Sequence, residues 1–427
     1  MRKTLLTSLV AGAATIWLAG HALAEPAAPD VATPQIPTAD AGGPRLKADT
    51  PPLILISIDG FREDYIGRGY SPNLKTLADG GATGEMHPSF PSITFPNHYT
   101  LVTGLVPDHH GIVDNMMTDP GRPSVVFKMS NADAVKDSFW WNEATPMWDT
   151  VERAGGKVGV EFWPGSEADE GGLRPTYYGH FDVKVTNEAR VDQILAWMDL
   201  PTDQRPNAYL LYFDIVDHQG HDFGPSSKEV DDAIAAVDSA IGRLEAGLKA
   251  RGVTANQIIV ADHGMSPVSA ERAYFMEDIL PAGSYDMKTT GPVASLNPVP
   301  GHEAEIDAKL VNHHFEHMQC WHKGQIPARL KYGTNPRIPE IVCLAEPRWL
   351  VDDTHAKGIG YKAGAHGYDN LAPDMQALFI ANGPAFRRHV MVRPFYNVDV
   401  YDLEMKVLGL TPEPNDGNLY WLNAALK

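Results

Sequence analysis

The sequence predicts an α/β fold: a sandwich with a mainly parallel central sheet and helices on both faces. Three observations point to the sheet and its cover. Short, uniformly apolar runs recur, helical repeats fall between them, and three of the runs end in acidic residues. "LILISIDG" starts at Leu53 and ends in Asp59-Gly60. "AYLLYFDIVD" ends near Asp214 and Asp217, and "QIIVADHG" ends in Asp262-His263. "KVGVEFW", residues 157–163, is a fourth candidate. Runs that are apolar throughout, rather than alternating, read as strands buried on both faces, which is the pattern of a parallel sheet covered by helices.

The clearest helix is predicted over 226–251. Val230, Ile234, Val237, Ile241, Leu244 and Leu248 recur in steps of four and three, making one buried stripe. Gly252 supplies the stop. A shorter helix follows Pro72 and turns Leu74 and Leu77 inward. Another is expected through "TPMWDTVERAG", and one near 303–317. Residues 265–365 are rich in Pro, Gly and His with weak periodicity. They read as insertions around the sheet rather than a separate domain.

The chain has 427 residues and a net charge of −19, from 54 acidic and 35 basic side chains. A general binder of nucleic-acid backbone needs a basic stripe, so that class is excluded. A small anionic substrate remains open, because bound metal ions reverse the local field. The first residues, "MRKTLLTSLVAGAATIWLAGHALAEP", combine Arg2 and Lys3, a short apolar run and an Ala22-Leu23-Ala24 step. This predicts a signal peptide, 1–24, cleaved after Ala24, and a periplasmic or secreted protein with no membrane span in the mature chain. An Ala/Pro-rich linker, 25–50, precedes the folded domain, 51–427. Export favours a disulfide between the two cysteines, Cys320 and Cys343, over two buried thiols.

Asp59, Asp217 and Asp262 sit at or just beyond the C-terminal ends of three predicted strands. Ligands of parallel α/β sheets bind outside those ends. Histidines accompany them: His221 four residues after Asp217, His263 next to Asp262, and His366 in the glycine-flanked "GAHGYDN". Carboxylates and imidazoles are the usual zinc ligands where thiolates are absent. Three of each provide for two ions. The clustered His313, His314, His317 and His322 lack such a context and read as a solvated helix face. His98, His109 and His110 read as packed or hydrogen-bonded imidazoles. In "SITFPNHYTLVTG", Pro96 marks a helix start. Thr94 then lies where unpaired backbone N–H groups favour negative charge, either as a helix cap or as an activated nucleophile.

"ISIDG", "SITFPNHYTLVTGLVPDHHGIVDNMM", "WPGSE", "DHQGHDFGP", "ADHGM", "GAHGYDN" and "NVDVYDLEMKVLGLTPEPNDG" occur in one order. Over residues 51–427 this resembles the nucleotide pyrophosphatase/phosphodiesterases of the alkaline phosphatase superfamily, and most of all bacterial periplasmic ones. The resemblance implies an alkaline-phosphatase-like sandwich for the fold and Thr94 as nucleophile. It implies Asp59, Asp262 and His263, with Thr94, at one zinc, and Asp217, His221 and His366 at a second. Asn115 would hold the phosphate, and Phe95 would form one wall of a nucleoside slot. Phe181 or Tyr178, in "RPTYYGHFD", would form the other wall, with Phe181 favoured by its spacing to Asp217. The expected substrate is a small nucleotide or other phosphodiester, cleaved to a nucleoside monophosphate through a threonyl ester. The second zinc is expected to stabilise the leaving oxygen and then to activate water. A choline or lipid-headgroup phosphodiesterase, or another phosphoester hydrolase of the same superfamily, is the enzyme alternative, and a periplasmic zinc-binding protein the non-enzyme one. Oligomeric state is not encoded in any motif.

Overall fold

The computed structural model describes residues 45–47, 49–168 and 174–427. The expected signal peptide and most of the linker lie outside them. No helix among the described residues is long and apolar enough to cross a membrane.

All four predicted strands form, as Leu53–Ile58, Val158–Glu161, Ala208–Phe213 and Asn256–Val260. Every residue in them is buried, which explains the absence of alternation. Leu53–Ile58 lies centrally, parallel to both Ala208–Phe213 and Asn256–Val260, and Val158–Glu161 extends the parallel set. Phe379–Asn382 adds an antiparallel strand beside Asn256–Val260. The whole sheet has eight strands. Because the three central strands run the same way, their acidic C-terminal ends emerge on one edge.

The helix predicted over 226–251 is Lys228–Arg251. Ser227 caps it by accepting the Val230 N–H, and Gly252 closes it in the left-handed conformation. All six stripe residues are buried. The helices at Pro72–Gly80 and Met147–Arg153 also form.

The helix expected near 303–317 is shorter. Glu303–Ile306 runs into a wide turn, Asp307–Val311, closed by the Asn312 N–H on the Asp307 carbonyl. His313 and His317 therefore share no helix face. His317 instead stacks on Trp349, with ring centroids 4.2 Å apart, and bonds Glu346. Residues 265–365 also hold a four-stranded antiparallel sheet, in the order Tyr285–Thr289, Val293–Pro298, Ile341–Ala345, Met318–His322. Cys320 and Cys343 face each other in its register and form the disulfide. Leu296, Ile306, Leu310 and Ile341 make a small core of its own, while Val293, Val342 and Leu344 join the main core.

Candidate active site

The central strand Leu53–Ile58 delivers Asp59, and Gly60 turns the chain away at φ 67°. A side chain at Gly60 would also meet Asp217 at 3.0 Å. Glycine is thus required twice over, by conformation and by space. The Gly60 N–H bonds Asp262 at 3.2 Å, locking the ends of two neighbouring strands together. Asp217 and His221 sit one turn apart on the helix Ile215–Phe223, which begins just after the strand Ala208–Phe213. His221 Nδ1 is 2.8 Å from the Gly364 carbonyl, and His366 Nδ1 is 3.1 Å from the Ser92 carbonyl. Both rings thereby turn Nε2 inward.

Two donor groups result: Asp59, Asp262 and His263, and Asp217, His221 and His366. Within each group the donor atoms lie within 4.8 Å of one another. Asp59 Oδ1, Asp217 Oδ1 and Asp262 Oδ2 are buried yet accept no hydrogen bond. Asp262 Oδ2 lies 3.0 Å from His263 Nε2, close but poorly aligned. Buried carboxylate oxygens without donors are costly. Their convergence with imidazole nitrogens on two points fits two divalent cations with oxygen and nitrogen ligands.

The electrostatics agree. Burial pushes the Asp59 carboxyl well above its ordinary range, and the neighbouring charges of Asp262 and Asp217 push the same way. Burial also opposes the charge on Asp262, but His263 and His98 outweigh it and hold that carboxyl well below the usual range. Burial, followed by His263 and His221, keeps His366 neutral, the state a ligand requires.

Thr94 is the first residue of the helix Thr94–Thr103, and Ile93 occupies the cap position. The threonine caps nothing. Its Oγ1 lies 3.2 Å from His263 Nε2, beside the first donor group and at the helix N-terminus. Pro96 sits in the first turn, as its fixed φ favours. Asn115 Oδ1 accepts the Phe95 N–H at 2.8 Å, which leaves its amide NH2 to donate towards the space before Thr94.

Thr94 and Phe95 line a cleft of about 180 Å³ with Phe162, Trp163, Phe181 and Tyr212. Phe181 is 39% exposed and meets Phe162 edge-on at 5.6 Å. Tyr178 does not line the cleft; it lies on the short strand Tyr177–Tyr178 beside Arg174 and His180. Of the eleven residues singled out from the sequence, six make the two donor groups, Thr94 lies beside the first of them and lines the cleft with Phe95 and Phe181, Asn115 bonds the Phe95 N–H, and Tyr178 stands aside.

Several contributors were not singled out from the sequence. Phe162 adopts φ 64°, a strained conformation for a bulky residue that aims its ring into the cleft. Glu167 accepts the Phe181 N–H at 3.0 Å and pairs with His180 and Lys136, so it fixes the loop that carries Phe181. Tyr212 Oη donates to Asp59 Oδ2 at 2.5 Å. His98, read from the sequence as a packed or hydrogen-bonded imidazole, is both: it is fully buried, with Nε2 2.8 Å from Ser57 Oγ and Nδ1 3.0 Å from the Thr94 carbonyl. Trp163 and Glu167 lie within the quoted "WPGSE", the one signal that could have found them; nothing local marks Phe162 or Tyr212.

An α/β sheet with two carboxylate–imidazole groups at its strand ends and a hydroxyl between them defines a class of metal-assisted ester hydrolases. The family described as type I phosphodiesterase/nucleotide pyrophosphatase matches residues 53–369. An uncharacterized pyrophosphatase/phosphodiesterase of Schizosaccharomyces pombe is 38% identical over 380 residues, covering 86% of this chain and 78% of that protein. Human ectonucleotide pyrophosphatase/phosphodiesterase family member 1 is 35% identical over 397 residues, covering 89% of this chain but 42% of that protein. Murine ectonucleotide pyrophosphatase/phosphodiesterase 5, solved as an inactive threonine-to-alanine form with AMP, superimposes with a TM-score of 0.84 at 33% identity, covering 88% of this chain and 100% of that one. The chain belongs to the nucleotide pyrophosphatase/phosphodiesterase family of the alkaline phosphatase superfamily.

Proposed function

We propose that the protein is a two-zinc phosphodiesterase that releases nucleoside monophosphates through a covalent threonyl ester. The observation that carries this reading is the position of Thr94. The residue is 6% exposed, and its hydroxyl stands at a helix N-terminus, between the aromatic cleft and the buried unpartnered carboxylates. The AMP bound to the inactive murine relative supports a nucleotide ligand. The export signal in the sequence supports action in the periplasm or outside the cell.

Asp59, Asp262 and His263 would hold one ion, with Thr94 alongside, and Asp217, His221 and His366 the other. When bound, the pair supplies Lewis acidity, favouring ionised oxygen nucleophiles and neutralising charge on phosphate and leaving group. The residues do the rest. Phe95 and Phe181 clasp the nucleoside base, and Asn115 donates to a non-bridging phosphate oxygen. The Thr94 hydroxyl gives up its proton as Oγ1 bonds to phosphorus and the bond to the leaving oxygen breaks. Water then attacks phosphorus, and Thr94 leaves with a proton restored. The helix N-terminus favours the ionised oxygen in both halves.

A hydrolysis panel at fixed zinc tests the reading: bis-p-nitrophenyl phosphate, p-nitrophenyl thymidine monophosphate, ATP, glycerophosphocholine and p-nitrophenyl phosphate. Nucleotide substrates are expected to lead. Thr94→Ala should abolish turnover and retain zinc. Preference for glycerophosphocholine would transfer the site to headgroup diesters, and zinc content without any turnover would leave a binding protein.

A further inference from the structure

A second cavity opens on the far side of the site from the aromatic cleft. It holds about 130 Å³ and touches Asn115, His221 and His366. Its outer wall is Asp114, Thr289, Thr290, Pro292 and Tyr361. The residues at 289–293 form the tip of the hairpin between Tyr285–Thr289 and Val293–Pro298, so the inserted sheet reaches into the site. Asp114, Thr289 and Val293 also border a further, larger space of about 270 Å³. That space is mostly apolar, with Met116, Met117, Val126 and Val342 among its walls.

Displacement at phosphorus places the leaving group opposite the attacking oxygen. With the nucleoside in the cleft beside Thr94, the group that departs does so past His221 and His366, into this cavity. Its chemistry is selective. Among the described residues, those lining it include no lysine or arginine, and its carboxylic acid is Asp114. Asp114 is held in place by the Met116 N–H at 3.0 Å. The nearest cations in the adjoining space are committed elsewhere. Lys288 pairs with Asp286 at 2.5 Å, and Arg337 pairs with Asp119 and Glu143. Beyond the ion that His221 and His366 would help hold, a pyrophosphate leaving here would meet an acid and no neutralising side chain. An uncharged alcohol would meet hydroxyls and an apolar exit.

We infer that the site selects by leaving group: it takes diesters in which a nucleotide is joined to an uncharged alcohol, ahead of nucleoside polyphosphates, with Asp114 as the discriminating residue. The inference rests on the proposed nucleotide diesterase reading and narrows it.

The test uses two substrates that share an adenosine 5′-phosphoryl half: ATP, which releases pyrophosphate, and the dinucleoside monophosphate ApA, which releases adenosine. AMP formation gives kcat/KM for each in alkaline buffer. ApA is expected to be the better substrate in the wild type, although pyrophosphate is the intrinsically better leaving group. Asp114→Asn should raise the ATP-to-ApA ratio by about tenfold, as removal of one like charge at close range would. Met116→Lys should do the same from the opposite side; Met116 is 38% exposed, so this variant keeps the interior intact. A wild-type preference for ATP, or a ratio unmoved in both variants, overturns the inference. Absence of AMP from both substrates would instead remove the diesterase reading itself, and this inference with it.

Discussion

Tyr212→Phe removes one oxygen and nothing else. Tyr212 ends its side chain in a 2.5 Å hydrogen bond to Asp59 Oδ2, and the other oxygen of that carboxylate is the one without a donor. The bond thus orients Asp59 so that Oδ1 faces Asp262 and His263. Phenylalanine keeps the ring contacts with His98 at 5.1 Å and Phe181 at 6.1 Å, so packing and the cleft wall survive. A hydrogen bond to a charged acceptor contributes about 1.5–3 kcal/mol. Partners of metal ligands change affinity by roughly 10- to 100-fold when lost, which is the same energy. The expected result is that one of two zinc ions binds roughly 10- to 100-fold more weakly while the other is unchanged. Competition with a zinc-sensitive chelating dye measures this, and activity lost at low zinc should return at high zinc. Two unchanged zinc affinities would refute the role given to Tyr212 and the assignment of Asp59 as a ligand.

Three further expectations follow from the same geometry. Metal analysis of unchelated protein should give two zinc ions per chain. Chelation should lower stability by up to about 4 kcal/mol for each ion present at a thousandfold excess over its dissociation constant; one ion with full activity would contradict the two-ion site. Phe181→Ala should lower kcat/KM for nucleotide substrates by about 1–3 kcal/mol of base stacking, with much less effect on bis-p-nitrophenyl phosphate, while Tyr178→Ala should leave both near wild type; equal losses in the two variants would move the cleft wall. Glu404 is fully buried with neither carboxylate oxygen partnered, and burial pushes its pKa well above the ordinary value. The folded state therefore binds the proton more tightly, so its contribution is intact at low pH and stability is lost as pH rises above the usual glutamate range. Glu404→Met should be more stable than wild type by about 1–3 kcal/mol, with the gain growing towards alkaline pH in chemical denaturation; a variant that loses stability would mean Glu404 has a partner in solution.

Much of the fold was legible because its strands are buried on both faces. Leu53–Ile58, Ala208–Phe213 and Asn256–Val260 are mostly apolar and buried throughout, and the residues after them include members of both candidate metal-binding groups. Lys228–Arg251 was legible because one stripe of six residues faces the core. The inserted sheet was not, because three of its four strands are unevenly buried. Tyr285–Thr289, for example, buries only Thr289 fully. Its hairpin tip nevertheless supplies Thr289 and Thr290 to the site, a contribution that depends on a contact distant in sequence. Thr94 was legible as a choice between cap and nucleophile, and only the neighbourhood of His263 distinguishes them. Phe162 was hidden for a different reason: its role comes from a backbone angle, not from its residue type.

The central claim is that Thr94 itself bonds to phosphorus. Stereochemistry at phosphorus tests it without any variant. A nucleoside diester made chiral with sulfur at phosphorus is hydrolysed in oxygen-18 water, and the configuration of the product thiophosphate is determined. Two successive displacements, first by Thr94 and then by water, each invert the centre, so the account predicts net retention. Net inversion would mean that water attacks the diester directly and that Thr94 is no nucleophile.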